Sequence, residues 1–548
     1  MKNIFDFHFH LLFKHWISAQ KDGSKLPFSK EFKTKGIMGL IDEFMGNAFD
    51  GQSSPALIQK SDVKYGVTAL LAMEYAFAEN INGFLRSFSN SNLPINWALI
   101  DRVKNKKTSY FEIFKEEINY YYTHQKELSE VYKIKFLSRK NKKEYNFEEA
   151  GTTFLAFSAE GGHNFSEAKI RDTSQPTHPS ENYLQIQNDK NSVDLFSINL
   201  VHLSEIPEQI LSGFAQGLNS TAQIAFKSFD FIPKSGFGIS TLGKSFIKTV
   251  LTHPLPTLID LKHMSVYTRY QYYQYREELI SQFPDVAKLP MISSHTGFTF
   301  QSVESFVNEK KYKPSVRYEN GQTVTEILAE NVKIGKTNFL LNNQLFGNPW
   351  SINLFDEEIV EIMESGGMIG ISMDQRILGS SKGFLDGVRG KYFKDAEAIP
   401  LLEWRKWFKE GQIQIEKAEE ETTKTDREIR HIYSLCCHII HAVRLGYKNL
   451  NWVGEKSPWD HICLGSDYDG LINPINGYDN VSKIGNLRKD LKRYLPIVEK
   501  KMDLNANIPI FKSSKNNIID AQEVNNCVEK FLSLNGKNLL IRFLNNWK

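Results

Sequence analysis

Ile4-Phe5-Asp6-Phe7-His8-Phe9-His10 is a short apolar run that ends in two histidines. In an extended strand, residues two apart face the same side, so His8 and His10 are expected to project together and could share one metal ion. The same form recurs along the chain. Residues 152–158 lead to Glu160-Gly161-Gly162-His163, residues 195–203 contain His202, and residues 256–261 precede His263. Residues 290–294 precede His295, and residues 461–465 precede Asp467. A carboxylate at the end of a buried strand is costly unless it is paired, protonated or bound to a metal.

Runs this short, apolar throughout, fit buried strands of a parallel sheet, and residues 368–372 add a further one. Amphipathic stretches lie between them. The clearest are residues 356–365, with Ile359, Ile362 and Met363 on one face, and residues 428–445, with Ile432, Leu435, Ile439 and Val443. Strands alternating with helices over hundreds of residues predict an α/β fold, here a (β/α)8 TIM-like barrel. Active sites of such barrels form at the C-terminal strand ends, where these metal-ligand residue types are expected to gather. Strand signals resume after each polar stretch, so residues 1–548 are expected to form a single barrel. Large insertions are expected at about 101–149, 166–192, 304–344 and 378–425.

The composition is that of an ordinary globular protein, with 41% hydrophobic and 24% charged residues. A formal charge of +3 over 548 residues gives no electrostatic reason for a nucleic-acid partner. The runs at 104–107 and 140–143 are read as solvated surface. The N-terminal segment lacks the features of a secretory signal, and no apolar run approaches the roughly 18 residues of a membrane span. The expected location is the cytoplasm. Cys436, Cys437, Cys463 and Cys527 lack metal-site spacing and are read as buried small hydrophobes. His163, His438, His441 and His461 are read as structural or supporting residues.

The ordered set resembles the membrane (renal) dipeptidase family of metallopeptidases, in the amidohydrolase superfamily. Glu160-Gly161-Gly162-His163 is similar to that family's bridging-glutamate motif. Asp260-Leu261-Lys262-His263-Met264-Ser265 resembles its Asp-x-Ser-His-x-Ser segment, and Ser294-His295 its Ser-His-Ser segment. Gly465-Ser466-Asp467-Tyr468-Asp469-Gly470 is close to its Gly-Ser-Asp-Phe-Asp-Gly signature, and Asn199-Leu200-Val201-His202 to its Leu-Thr-His strand. Asn535-Gly536-Lys537-Asn538-Leu539, followed by Arg542, is similar to its closing element.

The resemblance implies a binuclear metal-dependent hydrolase of dipeptides or related small amides. His8 and His10 would bind one divalent ion, His263 and His295 the second, and Glu160 would bridge them. A water between the ions would be the nucleophile, Asp467 the proton shuttle, and His202 a donor to the oxyanion. Asp469 would support the loop. Zinc is the expected ion, and manganese or iron would also suit these donors. The expected partner is a dipeptide or other small molecule, and a homodimer is an assembly open to the chain.

Two departures bear on specificity. The family has His-x-Asp on the first strand, where this chain has His8-Phe9-His10. An Arg-Asn pair grips the substrate carboxylate in the family, whereas Ile352-Asn353 stands here, with Arg376 the nearest substitute. The alternatives are therefore a hydrolase of lactones, cyclic amides or N-acyl amino acids, or a metal-binding barrel without turnover.

Overall fold

The computed structural model describes residues 3–19, 24–36, 49–80, 95–140, 144–217, 228–233, 238–308, 312–319, 322–329, 348, 350–379, 396–400, 402–403, 427–502, 508–512 and 519–548. Residues 141–143, about half of the expected insertion at 304–344 and most of that at 378–425 lie outside the described residues.

Among the described residues, twelve strands occur in chain order: β1 (Ile4–Phe9), β2 (Val63–Leu70), β3 (Ile134–Phe136), β4 (Thr153–Ala159), β5 (Leu195–Asn199), β6 (Leu258–Asp260), β7 (Ile292–Thr296), β8 (Tyr312–Glu319), β9 (Gln322–Ala329), β10 (Met368–Ile371), β11 (Ala396–Pro400) and β12 (Ile462–Leu464). Eight of them form the parallel sheet β1-β2-β4-β5-β6-β7-β10-β12, and β3 pairs with β4 beside it. The sheet curls until its ends meet. The Asp467 N–H donates to the His8 carbonyl at 2.8 Å, and the His10 N–H to the Tyr468 carbonyl at 2.9 Å. The expected TIM-like barrel is present. Every residue of β1, β2, β4 and β5 is buried, as strands covered on both faces require. The floor is sealed by the C-terminal helix Asn535–Leu544, where Gly536 lies so close to the Phe5 ring that a Cβ would overlap it.

The strands are close to their expected places, with differences that position the site. Residues 200–203 leave the sheet after Asn199, which frees His202 to turn toward other groups. Strand β2 was not among the expected strands. Its apolar run is broken by Lys64 and Gly66, and at Gly66 a Cβ would stand 2.8 Å from the Asp6 carbonyl oxygen. The helix expected at 428–445 spans Arg427–Asn449, and the one expected at 356–365 spans Asp356–Glu364. Residues 101–149 include the helix Tyr110–Thr123, opened by a Ser109/Glu112 capping box.

Strands β8, β9 and β11 form a separate antiparallel sheet. It meets the barrel mouth through polar contacts: the Ala398 N–H donates to Gln216 Oε1, and Glu397 accepts from the Ser351 N–H and hydroxyl. Glu403 accepts from the Tyr267 N–H. Burial pushes the Glu397 carboxyl up to about 8 and that of Glu403 to about 7, against those hydrogen bonds. The neutral acid is therefore the folded form. Its stabilisation is complete below the ordinary carboxyl value of 4.5 and is lost as pH rises toward 8. Melting temperature is expected to fall from about pH 5 to 8.5, with Glu397 contributing up to about 1.4 kcal/mol per pH unit within its window. Glu397→Gln keeps an acceptor for Ser351 and should flatten that slope. Calorimetric melts with the same slope in both proteins would contradict this account.

Candidate functional site

Strand ends build the site. Glu160 follows β4, its N–H held by the Leu70 carbonyl at 2.9 Å. The amide of Asn164 donates to the Glu160 carbonyl at 3.0 Å and accepts from the Ala72 N–H at 2.8 Å. Gly161 at φ +97° makes the turn between them. With its backbone fixed, the Glu160 carboxylate reaches His8 Nε2 at 3.4 Å, His10 Nε2 at 3.0 Å and His263 Nε2 at 3.1 Å. His202 Nε2 and His295 Nε2 each lie 3.6 Å from Oε1. Asp467 stands beyond, with Oδ1 3.9 Å from His8 Nε2 and Oδ2 3.9 Å from His295 Nε2. All seven sequence-selected residues thus converge, and all are buried.

Two groups could each hold an ion: His8, His10, Glu160 and Asp467, and Glu160, His263 and His295. Within each group the donor atoms lie within 4.8 Å of one another, and Glu160 belongs to both. Several of these atoms are left without internal satisfaction. His8 Nε2, both ring nitrogens of His10, and Glu160 Oε2 are buried with no hydrogen-bond partner among the described residues. The 3.0 Å approach of His10 Nε2 to Glu160 Oε2 lacks hydrogen-bond geometry. Buried polar atoms are ordinarily paired, so this cluster of nitrogen and carboxylate donors fits divalent cations.

The electrostatics agree with a concentrated site. Burial opposes ionisation of Glu160, but His202, His8 and His10 outweigh it and hold the carboxyl well below its usual range. Burial drives His263 down to about 3 and His295 well below its ordinary value, the neutral state that metal ligation needs. Burial raises Asp467 well above the carboxylate range, despite His8 and Lys262. His263 and Asp467 also adopt left-handed backbone, at φ 72° and 64°. Such conformations are uncommon outside glycine and often occur at functional positions.

Three neighbours were not picked out by sequence reasoning. Glu74 Oε1 lies 2.9 Å from His202 Nδ1 and accepts from the Leu203 N–H, while Oε2 accepts from the Ser204 hydroxyl at 2.6 Å. Burial opposes the Glu74 charge, but His202 and Ser204 overcome it and bring the carboxyl to about 2. Burial is likewise overcome at His202, which Glu160 and Glu74 raise to about 9. Glu74 thereby fixes a proton on Nδ1 and turns Nε2 toward Glu160. Glu74→Gln should lower kcat by about 10–100-fold with metal content unchanged. Parallel kcat and metal measurements test this, and wild-type kcat would remove Glu74 from the site. Asp6 accepts from the Ser466 N–H and hydroxyl, which positions the loop before Asp467. Lys262 is buried beside His263, and burial pulls its ammonium down to about 8 against the pull of Asp467, Asp374 and Asp260.

The remaining candidates are engaged in the fold. Asp469 accepts from the Gln52 and Ser53 N–H groups and pairs with Lys14. His438 accepts from the Phe298 N–H and contacts the Leu378 carbonyl, while His163 and His461 contact the Ala72 and Gly367 carbonyls. His441 pairs with Asp356. Arg376 is bound by Asp374 through Nε at 3.0 Å and Nη2 at 2.6 Å, and it donates to the Leu471 carbonyl. Ile352 is packed among Ala215, Trp350 and Ile377.

Residues 345–501 match the membrane dipeptidase family, peptidase family M19. Across that segment the chain is similar to the membrane dipeptidases, which supports a metal-dependent hydrolase, and the segment contains β10, β12 and Asp467. The five residues read as metal ligands, and His202, lie outside the match. No curated protein sequence matches the chain. Among solved structures, it is similar to a family M19 metallopeptidase described as dipeptidase AC (12% identity, 98% of each chain, TM-score 0.44). Others are a Rhodobacter sphaeroides metallopeptidase liganded with a phosphinate mimic of L-Ala-D-Ala (12%, 96% and 99%, 0.39) and the Pseudomonas aeruginosa probable dipeptidase PvdM (11%, 96% of each, 0.41). No helix among the described residues is long and apolar enough to cross a membrane.

Proposed function

We propose that the chain is a binuclear metal-dependent hydrolase of dipeptides or related small amides. The observation that carries this reading is the position of Glu160, whose single carboxylate belongs to both donor groups. His8 and His10 would hold one ion, His263 and His295 the other, and Glu160 both. Zinc suits these donors, with manganese and iron as competitors. When bound, the ions would supply the Lewis acidity that acidifies a water and polarises the scissile carbonyl.

The chain's own residues do the rest. Asp467 accepts the proton of the attacking water and delivers it to the leaving nitrogen. His202, protonated on Nδ1 against Glu74, directs its Nε2–H at the oxygen that becomes negative as the carbonyl carbon turns tetrahedral. His8 and His295 border Asp467 and limit its freedom to turn. One observation favours a second reading, hydrolysis of a lactone or cyclic amide. The expected anchor for a substrate carboxylate is absent, since Ile352 is apolar and buried and Arg376 is tied to Asp374. The four cysteines are buried free thiols, which supports a reducing, cytoplasmic setting.

Metal analysis of the purified protein should find divalent metal, and chelation should abolish hydrolysis until metal is restored. A screen of dipeptides, N-acyl amino acids and lactones identifies the bond. Stoichiometric metal without turnover of any of these would replace the hydrolase by a metal-binding barrel.

A further inference from the structure

The Lys262 backbone N–H donates to Asp260 Oδ1 at 3.1 Å, and its carbonyl accepts from the Asn199 amide at 3.2 Å. This fixes the backbone at the end of β6. The side chain is buried, and Nζ has no hydrogen-bond partner among the described residues. Its charge acts on Asp467, Asp374 and Asp260, and on the imidazoles of His263 and His295. A buried ammonium with three unused donors is unfavourable unless something else completes its hydrogen bonds. The arginines nearby do not offer free donors in the same way. Arg376 is bound by Asp374 and Leu471, and Arg269 by Glu358 and the carbonyls of Met264, Ser351 and Asn353.

We propose that Lys262 is a specificity-determining residue that binds a carboxylate on the amine-side fragment of the substrate. The assignment rests on the hydrolase reading above and narrows it. Asp467 delivers a proton to the leaving nitrogen, and Lys262, at the end of β6 next to His263, is close enough for its charge to act on Asp467. In a dipeptide or an N-acyl amino acid, one carbon joins that nitrogen to a carboxylate. A substrate with its nitrogen at Asp467 therefore brings its carboxylate toward the ammonium. Lactones and simple cyclic amides carry no such group and would leave the three donors unmet. A mere counter-ion for Asp467 would instead serve all substrates alike, and this difference can be measured.

The test uses zinc-loaded full-length protein with L-alanyl-L-alanine and L-alanyl-L-alaninamide. Wild type should favour the acid. Lys262→Met, close in shape but uncharged, should reduce kcat/KM for the acid at least about tenfold more than for the amide, mainly through KM, and Lys262→Arg should restore part of the preference. Equal losses on both compounds, or a wild type indifferent to acid and amide, would overturn the assignment. Calorimetric titration of both compounds supplies a reading independent of turnover. Zinc-loaded wild type that cleaves neither of these nor any compound of the wider screen refutes the hydrolase, whereas equal binding of the two refutes Lys262 by itself.

Discussion

Glu160→Gln should leave a folded protein that has lost most of its metal and its hydrolytic activity. The substitution keeps the shape and the backbone contacts to Leu70 and Asn164 but removes the one negative charge shared by both donor groups. Around it stand His8, His10, His202, His263 and His295, with nitrogens 3.0–3.6 Å from the carboxylate oxygens. Imidazoles alone would then have to balance two divalent charges in a buried site, with Asp467 as the nearest remaining carboxylate. The loss should exceed the roughly 10–100-fold that follows removal of an outer-shell partner. Metal content by elemental analysis and kcat on the best substrate check this together. A Glu160→Gln protein with normal metal and turnover would show that the carboxylate bridges nothing.

The parts of this arrangement that sequence could supply share one property. A strand buried on both faces reads as an unbroken apolar run, and a polar residue at its end stands out because it is costly there. β1, β4, β6, β7 and β12 have this form, and their terminal residues meet around Glu160. β2 lacks it. Lys64 and Gly66 interrupt the run, and no metal-ligand residue stands at its end. The carboxylate that this part of the chain contributes is Glu74, four residues past Leu70 in Ala72-Met73-Glu74-Tyr75, where it resembles an ordinary residue near a helix start. Its role appears only once residues 200–203 leave the sheet and bring His202 to it. Lys262 was visible within a recognised segment, yet only burial and an unmet Nζ separate it from a surface lysine. Arg376 illustrates the reverse limit. Its position suggested a substrate anchor, and Asp374, two residues earlier, holds it instead.

Asp467→Asn should retain metal and fold but lower kcat by about 10²–10⁴-fold, the range for loss of a general acid/base. The backbone makes asparagine the informative choice. Asp467 sits at φ 64°, a region that asparagine tolerates and alanine does not, so Asp467→Ala would mix strain with chemistry. Its side chain lies against Gly470, where a Cβ would come within 2.0 Å of Oδ1, and asparagine occupies that same space. What the amide lacks is the ability to take up a proton and release it. The carboxylate oxygens stand 3.9 Å from the nearest imidazole nitrogens, farther than those of Glu160, which is why metal should survive the change. Metal analysis and steady-state kinetics separate the outcomes. Loss of metal along with rate would make Asp467 chiefly a ligand, and an unchanged kcat with full metal would exclude it as the proton carrier.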